Sequence, residues 1–452
     1  MPRPNGPMPS PMASRAAAVA RRLSVILRAY RLLSTAAAPF APLLLSARQR
    51  RGKELPERLP ERRGHAAVKR PDGPLIWLHG ASVGELASVY PLIERICGQH
   101  INVLVTSGTV TSAGLAVQRL PRGAFHQFVP LDATPFVRRF LNHWQPDLAL
   151  FVESDLWPNL IVETANRGVP LVLVNGRLSD SSYRRWRHLP ATIGGLLERF
   201  DLVLARTAED GHRFGDLGAP RVIVTGNLKL DVPAPAADAE ALRIMQFAIG
   251  RRPVVAAAST HAGEESALID AHARLRTEFP GLLTIIAPRH PERGPGIAEI
   301  AAAMRLKTAL RSRGDIPTPT TDIYIADTMG ELGILYRLAP IVFMGGSLVR
   351  HGGQNPIEPA KLGAAVIHGP HVWNFTELYT ALDNADGAIA VDDAEALAGC
   401  FARLLRDEPT RARFAGNGRA TVETLGGALE RTSQALDPYL MQLRLGSHHA
   451  RP

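Results

Sequence analysis

Cysteine is nearly absent: Cys97 and Cys400 are the only two in 452 residues, too far apart to suggest a disulfide framework or a zinc site. A reducing compartment suits such a chain, with both thiols serving as small hydrophobes. Aromatic residues make up only 6%, which leaves little surface on which bases could stack. Long apolar runs are also missing. The apolar segment Leu23–Ala47 carries Arg28 and Arg31, and its uncharged part, Leu32–Ala47, contains Pro39 and Pro42 and has 16 residues, short of the roughly 20 that a spanning helix needs. Neither a G-x-G-x-x-G nor a P-loop follows a strand, which speaks against a dinucleotide dehydrogenase or a nucleoside triphosphatase.

What is present is unevenly distributed. The chain is 46% hydrophobic, too apolar for disorder and too long for one ordinary core, so two domains behind an N-terminal extension are expected. The net charge of +10 lies almost entirely in residues 1–70, where 15 Lys and Arg face 3 Asp and Glu, a balance of +12; the remainder carries −2. A basic, partly apolar arm on a near-neutral body points to an anionic surface, with lipid head groups and nucleic acid both admissible on charge alone. A cleavable signal peptide would need an earlier apolar region and a cleavage site in place of the charged run Arg48–Arg51. An amphipathic anchor lying in the membrane interface is the expectation for this arm. Arg50–Arg63, with Arg and Glu interleaved, reads equally as an ordinary solvated helix.

From Pro74 onward, short aliphatic runs alternate with helical stretches. Residues 75–79, 102–106, 148–152, 171–175, 202–205 and 222–225 read as strands buried on both faces of a parallel sheet. The proline- and alanine-rich segment Asp231–Asp238 reads as a linker, after which 253–258, 283–287, 323–326, 341–344, 365–368 and 388–391 repeat the rhythm. The expected fold is therefore α/β, with two Rossmann-like doubly wound domains facing a cleft. The division is a membrane-associating segment 1–70, a first Rossmann-like domain 71–232, a second 233–425, and a helix with tail at 426–452. Arg311–Thr321 reads as a surface loop.

In such folds chemistry lies at the carboxyl ends of strands, and several loops there carry suitable residues. Ser82-x-x-Glu85 after the first strand reads as a capping box, or as a cleft carboxylate able to take a proton from a hydroxyl. Thr106–Ser112 offers hydroxyls and amides but no titratable group, suiting either a helix start or an anionic ligand. Glu153 and Asp155 resemble a metal-binding pair, yet no third ligand is in view and spaced carboxylates commonly cap helices or pair with bases; Trp157 beside them reads as packing. Lys229 reaches a leaving phosphate or pairs with Asp231. In the second half Arg289 presents a fork for phosphate oxygens at a strand tip, while Asp327–Leu332 reads as a capped helix or a phosphate cradle. Asn355, Pro356 and Glu358 are good helix-start chemistry at N-cap, N1 and N3, and the glycines preceding them leave bare backbone suited to an anion.

Taken together, HGASVGE, TSGTVTSAG, ESDLWPN, VNGRLS, VTGNLKLD, APRHPER, DTMGEL and GGQNPIEPAKLG, in this order between Leu75 and Asn374, resemble the 3-deoxy-D-manno-octulosonic acid (Kdo) transferases, glycosyltransferases of GT-B type. RGKELPER resembles the basic segment that follows the family's membrane anchor. The resemblance implies inverting transfer of Kdo from CMP-Kdo to a lipid A precursor (lipid IVA) in lipopolysaccharide core synthesis. It implies Glu85 as general base, with Glu153 and Lys229 stabilising the transition state. Pro288, Arg289, Met329, Gly330, Glu331, Asn355, Pro356, Ile357 and Glu358 would surround the CMP moiety. No metal or other cofactor and no nucleic acid is implied. The partners are the donor, the lipid acceptor and inner-membrane lipids, with the catalytic domains on the cytoplasmic face. The rival readings are an epimerase-like GT-B enzyme and a non-enzymatic membrane-surface protein.

Overall fold

The structure is a computed structural model that describes residues 23–449. It divides into two compact units: residues 233–425 form one, and the described residues on either side form the other. The last helix, Ala428–His449, thus returns to the first unit after the chain has built the second.

Unit 1 is built on seven parallel strands, β1 (Leu75–His79), β2 (Asn102–Ser107), β3 (Ala124–Phe128), β4 (Leu148–Val152), β5 (Leu171–Gly176), β6 (Leu202–Ala205) and β7 (Val222–Val224), in the order β3-β2-β1-β4-β5-β6-β7. Helices cover both faces, so β1, β4, β5 and β6 are buried along their whole length. This is why their sequences run continuously aliphatic rather than alternating. One face packs Trp77, Phe140, Trp144 and Phe151; the other packs Leu78, Val89, Val105 and Val152 together with Leu436 and Leu440 of the returning helix.

Unit 2 repeats the plan with β8 (Val254–Thr260), β9 (Leu283–Pro288), β10 (Thr308–Leu310), β11 (Ile323–Ile325), β12 (Ile341–Met344), β13 (Ala365–His368) and β14 (Ala388–Ala390), ordered β10-β11-β9-β8-β12-β13-β14. All the pairings are parallel. In each unit the first strand sits between its second and a later one, so the strand order reverses between β1 and β4 and again between β8 and β12. Loops leaving those strands in opposite directions open a crevice at the carboxyl edge, which is where doubly wound sheets bind ligands.

The basic arm is only partly separate from this frame. The helix Val25–Ala37 buries Leu27 in the first core, a contribution of roughly 1.5–3 kcal/mol, and Tyr30 donates to Asp132 at 2.9 Å. Arg31 meets the buried Glu163, which Arg138 and Arg167 also grip at 3.0 and 3.1 Å. Arg50–Arg63 is not a continuous helix. It folds as two short 3-10 turns in which Arg62 is buried against Glu54 at 2.9 Å and lies 4.4 Å over the Phe128 ring. Among the described residues no helix is long and apolar enough to cross a membrane.

Candidate active site

In unit 1 the crevice between β1 and β4 collects three carboxylates. Ser82 ends the extended loop after β1 and caps the helix Val83–Cys97 by accepting from the Glu85 amide; Glu85 answers by accepting from Ser82 Oγ at 2.8 Å and from the Ala81 amide at 2.8 Å. The expected capping box is not completed, since Glu85 accepts from the Ala81 amide and not from that of the N-cap Ser82; a carboxylate accepts about four hydrogen bonds and only two are used, so it stays available to the crevice. The carboxyl is raised above its ordinary range. Burial is the main cause, and the charges of Glu153 and Asp155 add to it against the opposing bonds from Ser82 and Ala81.

Glu153 stands at the end of β4 in a left-handed conformation, φ +60°. A non-glycine residue there is strained unless its surroundings hold it. Lys229 does so, with Nζ 2.6 Å from Glu153 Oε1. Lys229 in turn lies in a short 3-10 turn, Leu228–Leu230, pinned at both ends. Asn175, also left-handed, accepts from the Leu228 amide at 3.0 Å, and Asn227 accepts from the Lys229 amide at 3.1 Å. Asp231 is not the partner of Lys229; its carboxylate caps the returning helix by accepting from the amides of Gly427 and Leu429.

Asp155 has its own partner, a residue that sequence reasoning passed over. His79, fully buried at the end of β1, sets Nε2 3.0 Å from Asp155 Oδ2 and Nδ1 2.9 Å from Thr106 Oγ1, which accepts from Trp77 Nε1 at 2.9 Å. Burial works against ionisation of Asp155, but the bond and charge of His79, with a bond from Trp157, hold its carboxyl below the ordinary range. Trp157 is 42% exposed and bonds to this acid, so it is not core packing. Glu153 and Asp155 therefore each answer to a base, and among the described residues no group of three His, Cys, Asp or Glu is placed to hold a metal ion.

Unit 2 has a different chemistry at the matching crevice. The glycine run after β12 does bind an anion, but the anion belongs to the protein. Glu264, buried at 1% exposure, accepts from the amides of His261 and Gly346 at 2.8 and 2.7 Å and from those of Ser347 and Leu348 at 3.0 Å each. Those four donors are therefore spent, and nothing in the local sequence of the loop signals a carboxylate some 80 residues upstream. Pro288 is buried at the end of β9 and Arg289 is exposed beyond it, its amide donating to Thr260. Met329 is 71% exposed and Gly330 forms a left-handed turn, φ +85°. Glu331 is held by Arg311 at 2.7 Å and by Thr328; these bonds, the arginine's foremost, keep its carboxyl below the ordinary range. Arg311 thus belongs to this edge rather than to a free surface loop. The helix at Ile357–Lys361 begins one residue later than expected, with Asn355 Oδ1 accepting from the Ile357 amide at 3.1 Å, Pro356 at the cap and Glu358 in the first turn.

A family model described as 3-deoxy-D-manno-octulosonic-acid transferase (kdotransferase) matches residues 57–232. The 3-deoxy-D-manno-octulosonic acid transferase of Haemophilus influenzae is 34% identical over 85% of this chain and 92% of its own length. The chain belongs to the Kdo transferase family. The Bordetella pertussis member is 36% identical, covering 84% of this chain and 91% of itself, and a probable mitochondrial member from Arabidopsis thaliana is 37% identical, covering 80% and 83%. As a Kdo transferase homologue the chain is a glycosyltransferase. Its fold is shared with the UDP-GlcNAc 2-epimerase of Neisseria meningitidis, TM-score 0.53 at 13% identity over 79% of this chain and 100% of that one. Of the residues singled out by sequence, Glu85, Glu153 and Lys229 come together in unit 1, while the nine expected around CMP all lie in unit 2: Pro288 ends β9 and Arg289 follows it, Met329, Gly330 and Glu331 follow β11, and Asn355, Pro356, Ile357 and Glu358 lie at the start of the helix beyond β12.

Proposed function

We propose that this Kdo transferase moves Kdo from CMP-Kdo to a hydroxyl of a lipid A precursor, with inversion at the anomeric carbon. The observation that carries this reading is the Glu85 carboxylate, capped but not saturated, in the same crevice as the Glu153–Lys229 pair. As the acceptor oxygen bonds to the anomeric carbon, Glu85 takes its proton and the bond from that carbon to the CMP phosphate breaks, the electron pair leaving with the phosphate. Raising a carboxyl toward neutral pH makes it a stronger base while leaving it ionised in a useful fraction. Glu153 and Asp155 favour the positive charge that develops on the sugar ring. Lys229 in the first unit and Arg289 in the second are each fixed positive charges of the kind that suits a departing phosphate, so this reading needs no metal ion. Loops after β9, β11 and β12 hold the CMP group.

The acceptor is lipid-borne, and the first unit is suited to reaching it. On the helix Val25–Ala37 and its continuation to Arg50, Val25, Leu32, Leu33, Phe40 and Leu43 are exposed, while Leu27, Ala41 and Leu45 are buried. An apolar face flanked by Arg28, Arg48, Arg50 and Arg51 would lie in an anionic membrane interface, and in this reading that interface is the cytoplasmic face of the inner membrane. Incubation with CMP-Kdo and a tetraacyl lipid A precursor, followed by mass spectrometry, is expected to show acceptor heavier by whole Kdo units. CMP release that proceeds equally without acceptor would overturn the transfer reading in favour of an epimerase-like or hydrolytic enzyme.

A further inference from the structure

The second crevice holds a cluster that none of the residues considered so far explains. His261 follows β8 and His351 follows β12, the two strands between which the order of the sheet reverses, and their rings stack across that point at 4.1 Å and 16°. His290, following β9, stands edge-on to His261 at 6.1 Å. Gly346 leaves room for the stack: a Cβ there would lie 3.3 Å from His261 Cδ2 and 3.4 Å from His351 Cβ, and its φ of +67° favours glycine.

The charges around this stack are one-sided. His351, His290, Arg289 and Arg293 all face His261, and after burial their fields are what hold its imidazole down to about 4. The nearby acids are committed elsewhere, Glu264 to its four amides and Glu265 to Arg293 at 2.7 Å and to Thr260 at 3.0 Å. Glu292 reaches only the exposed His290, at 3.8 Å. Gln354 Nε2 lies 3.2 Å from His261 Nε2; with that amide donating, the neutral ring carries its proton on Nδ1, for which no protein acceptor stands among the described residues. With Arg293 paired to Glu265, Arg289 is the arginine left at this switch position beside an imidazole N–H, and a negatively charged acceptor would complete the cluster.

We propose that His261 and His351 form the seat for an oxyanion of the CMP-linked acidic sugar, either the phosphate or the sugar carboxylate. This rests on the donor reading above and adds to it the residues that read the donor's charge. His261 donates through Nδ1, His351 backs it as a stacked platform, and Arg289 closes the site from the neighbouring strand tip. The bound anion favours the imidazolium form, so the folded, liganded pKa lies above the unliganded one. Affinity is then greatest at low pH and declines as pH rises from the unliganded to the liganded value, with a proton taken up on binding.

The test is calorimetric titration of the full-length protein with CMP and with CMP-Kdo, between pH 6 and 8 and in two buffers of different ionisation enthalpy. Wild type is expected to take up a fraction of a proton, and His261→Phe, which keeps a stacking ring, to abolish the uptake and weaken binding by about tenfold or more. His351→Gln should weaken binding less and also reduce the uptake. If the uptake appears with both ligands, the phosphate is the oxyanion; if only with CMP-Kdo, the sugar carboxylate is. Unchanged affinity and proton uptake in His261→Phe would overturn the seat while leaving donor binding intact. Wild type that binds neither ligand would overturn the donor reading and the seat with it.

Discussion

The two units share a sheet order and a switch-point crevice, yet fill the crevice with opposite chemistry. Between β1 and β4 stand Glu85, Glu153 and Asp155, each steadied by a neighbour: a helix cap, Lys229 and His79. Between β8 and β12 the acids are turned inward, Glu264 onto backbone amides and Glu265 onto Arg293, which leaves imidazoles and Arg289 at the opening. The same topology thus carries carboxylates at one switch point and imidazoles with an arginine at the other, which on the proposed reading divide proton removal from the holding of an anion. The difference lies in which side chains satisfy their own backbone and which are left over.

The largest expected effect comes from abolishing the base. Glu85→Gln keeps the cap's acceptor oxygen but cannot take a proton, so kcat for transfer should fall by roughly 10²–10⁴, while CMP-Kdo binding measured by calorimetry stays within twofold. A drop in both together would mean that the first crevice serves binding rather than proton removal. Lys229→Met should lower kcat by about 10²–10³ and also leave Glu153 in a left-handed conformation without its partner. Restoration of part of that rate by Lys229→Arg would tie the loss to charge. In the other unit, Glu264→Gln replaces an anion that accepts from four amides with an amide that accepts less well, and should cost on the order of 2–4 kcal/mol in denaturant unfolding; a stability equal to wild type would show that the glycine loop has other acceptors. The smallest effect sharpens the first crevice alone. Asp155→Asn removes a negative neighbour that helps raise the Glu85 carboxyl, so the acid limb of the pH profile for kcat/KM should move to lower pH. Movement to higher pH would contradict the assigned electrostatics.

Much of this frame is legible in residue order, and the parts that are not have physical reasons. Twelve aliphatic runs read as strands and each is one; in most of them burial on both faces leaves a continuous apolar signature, while the edge strands β7 and β14 are partly exposed. β3 escapes notice because AFHQF sets His126 and Gln127 in an edge strand that faces the basic turn at Arg58 and Arg62, and β10 is a three-residue edge strand. Loops rich in polar residues could be placed at strand ends, but their partners could not. Asp155 finds His79 across 76 residues, Glu331 finds Arg311, and the glycine run finds Glu264. A single histidine after a strand carries almost no information by itself; His261 and His351 acquire meaning only when their rings are seen stacked.

The helix Ala428–His449 gives the chain an unusual order of construction. The turn that presents Lys229 is packed against this helix, and Asp231 caps it, so the part of the first unit that carries a candidate catalytic lysine is completed by a segment synthesised after the whole of the second unit. Until that segment emerges, the first unit lacks Leu436 and Leu440, two buried members of the cluster that holds Leu78, Val89 and Val105. A chain cut just before Gly426 would thus contain every residue of the second unit and leave the first without its closing helix.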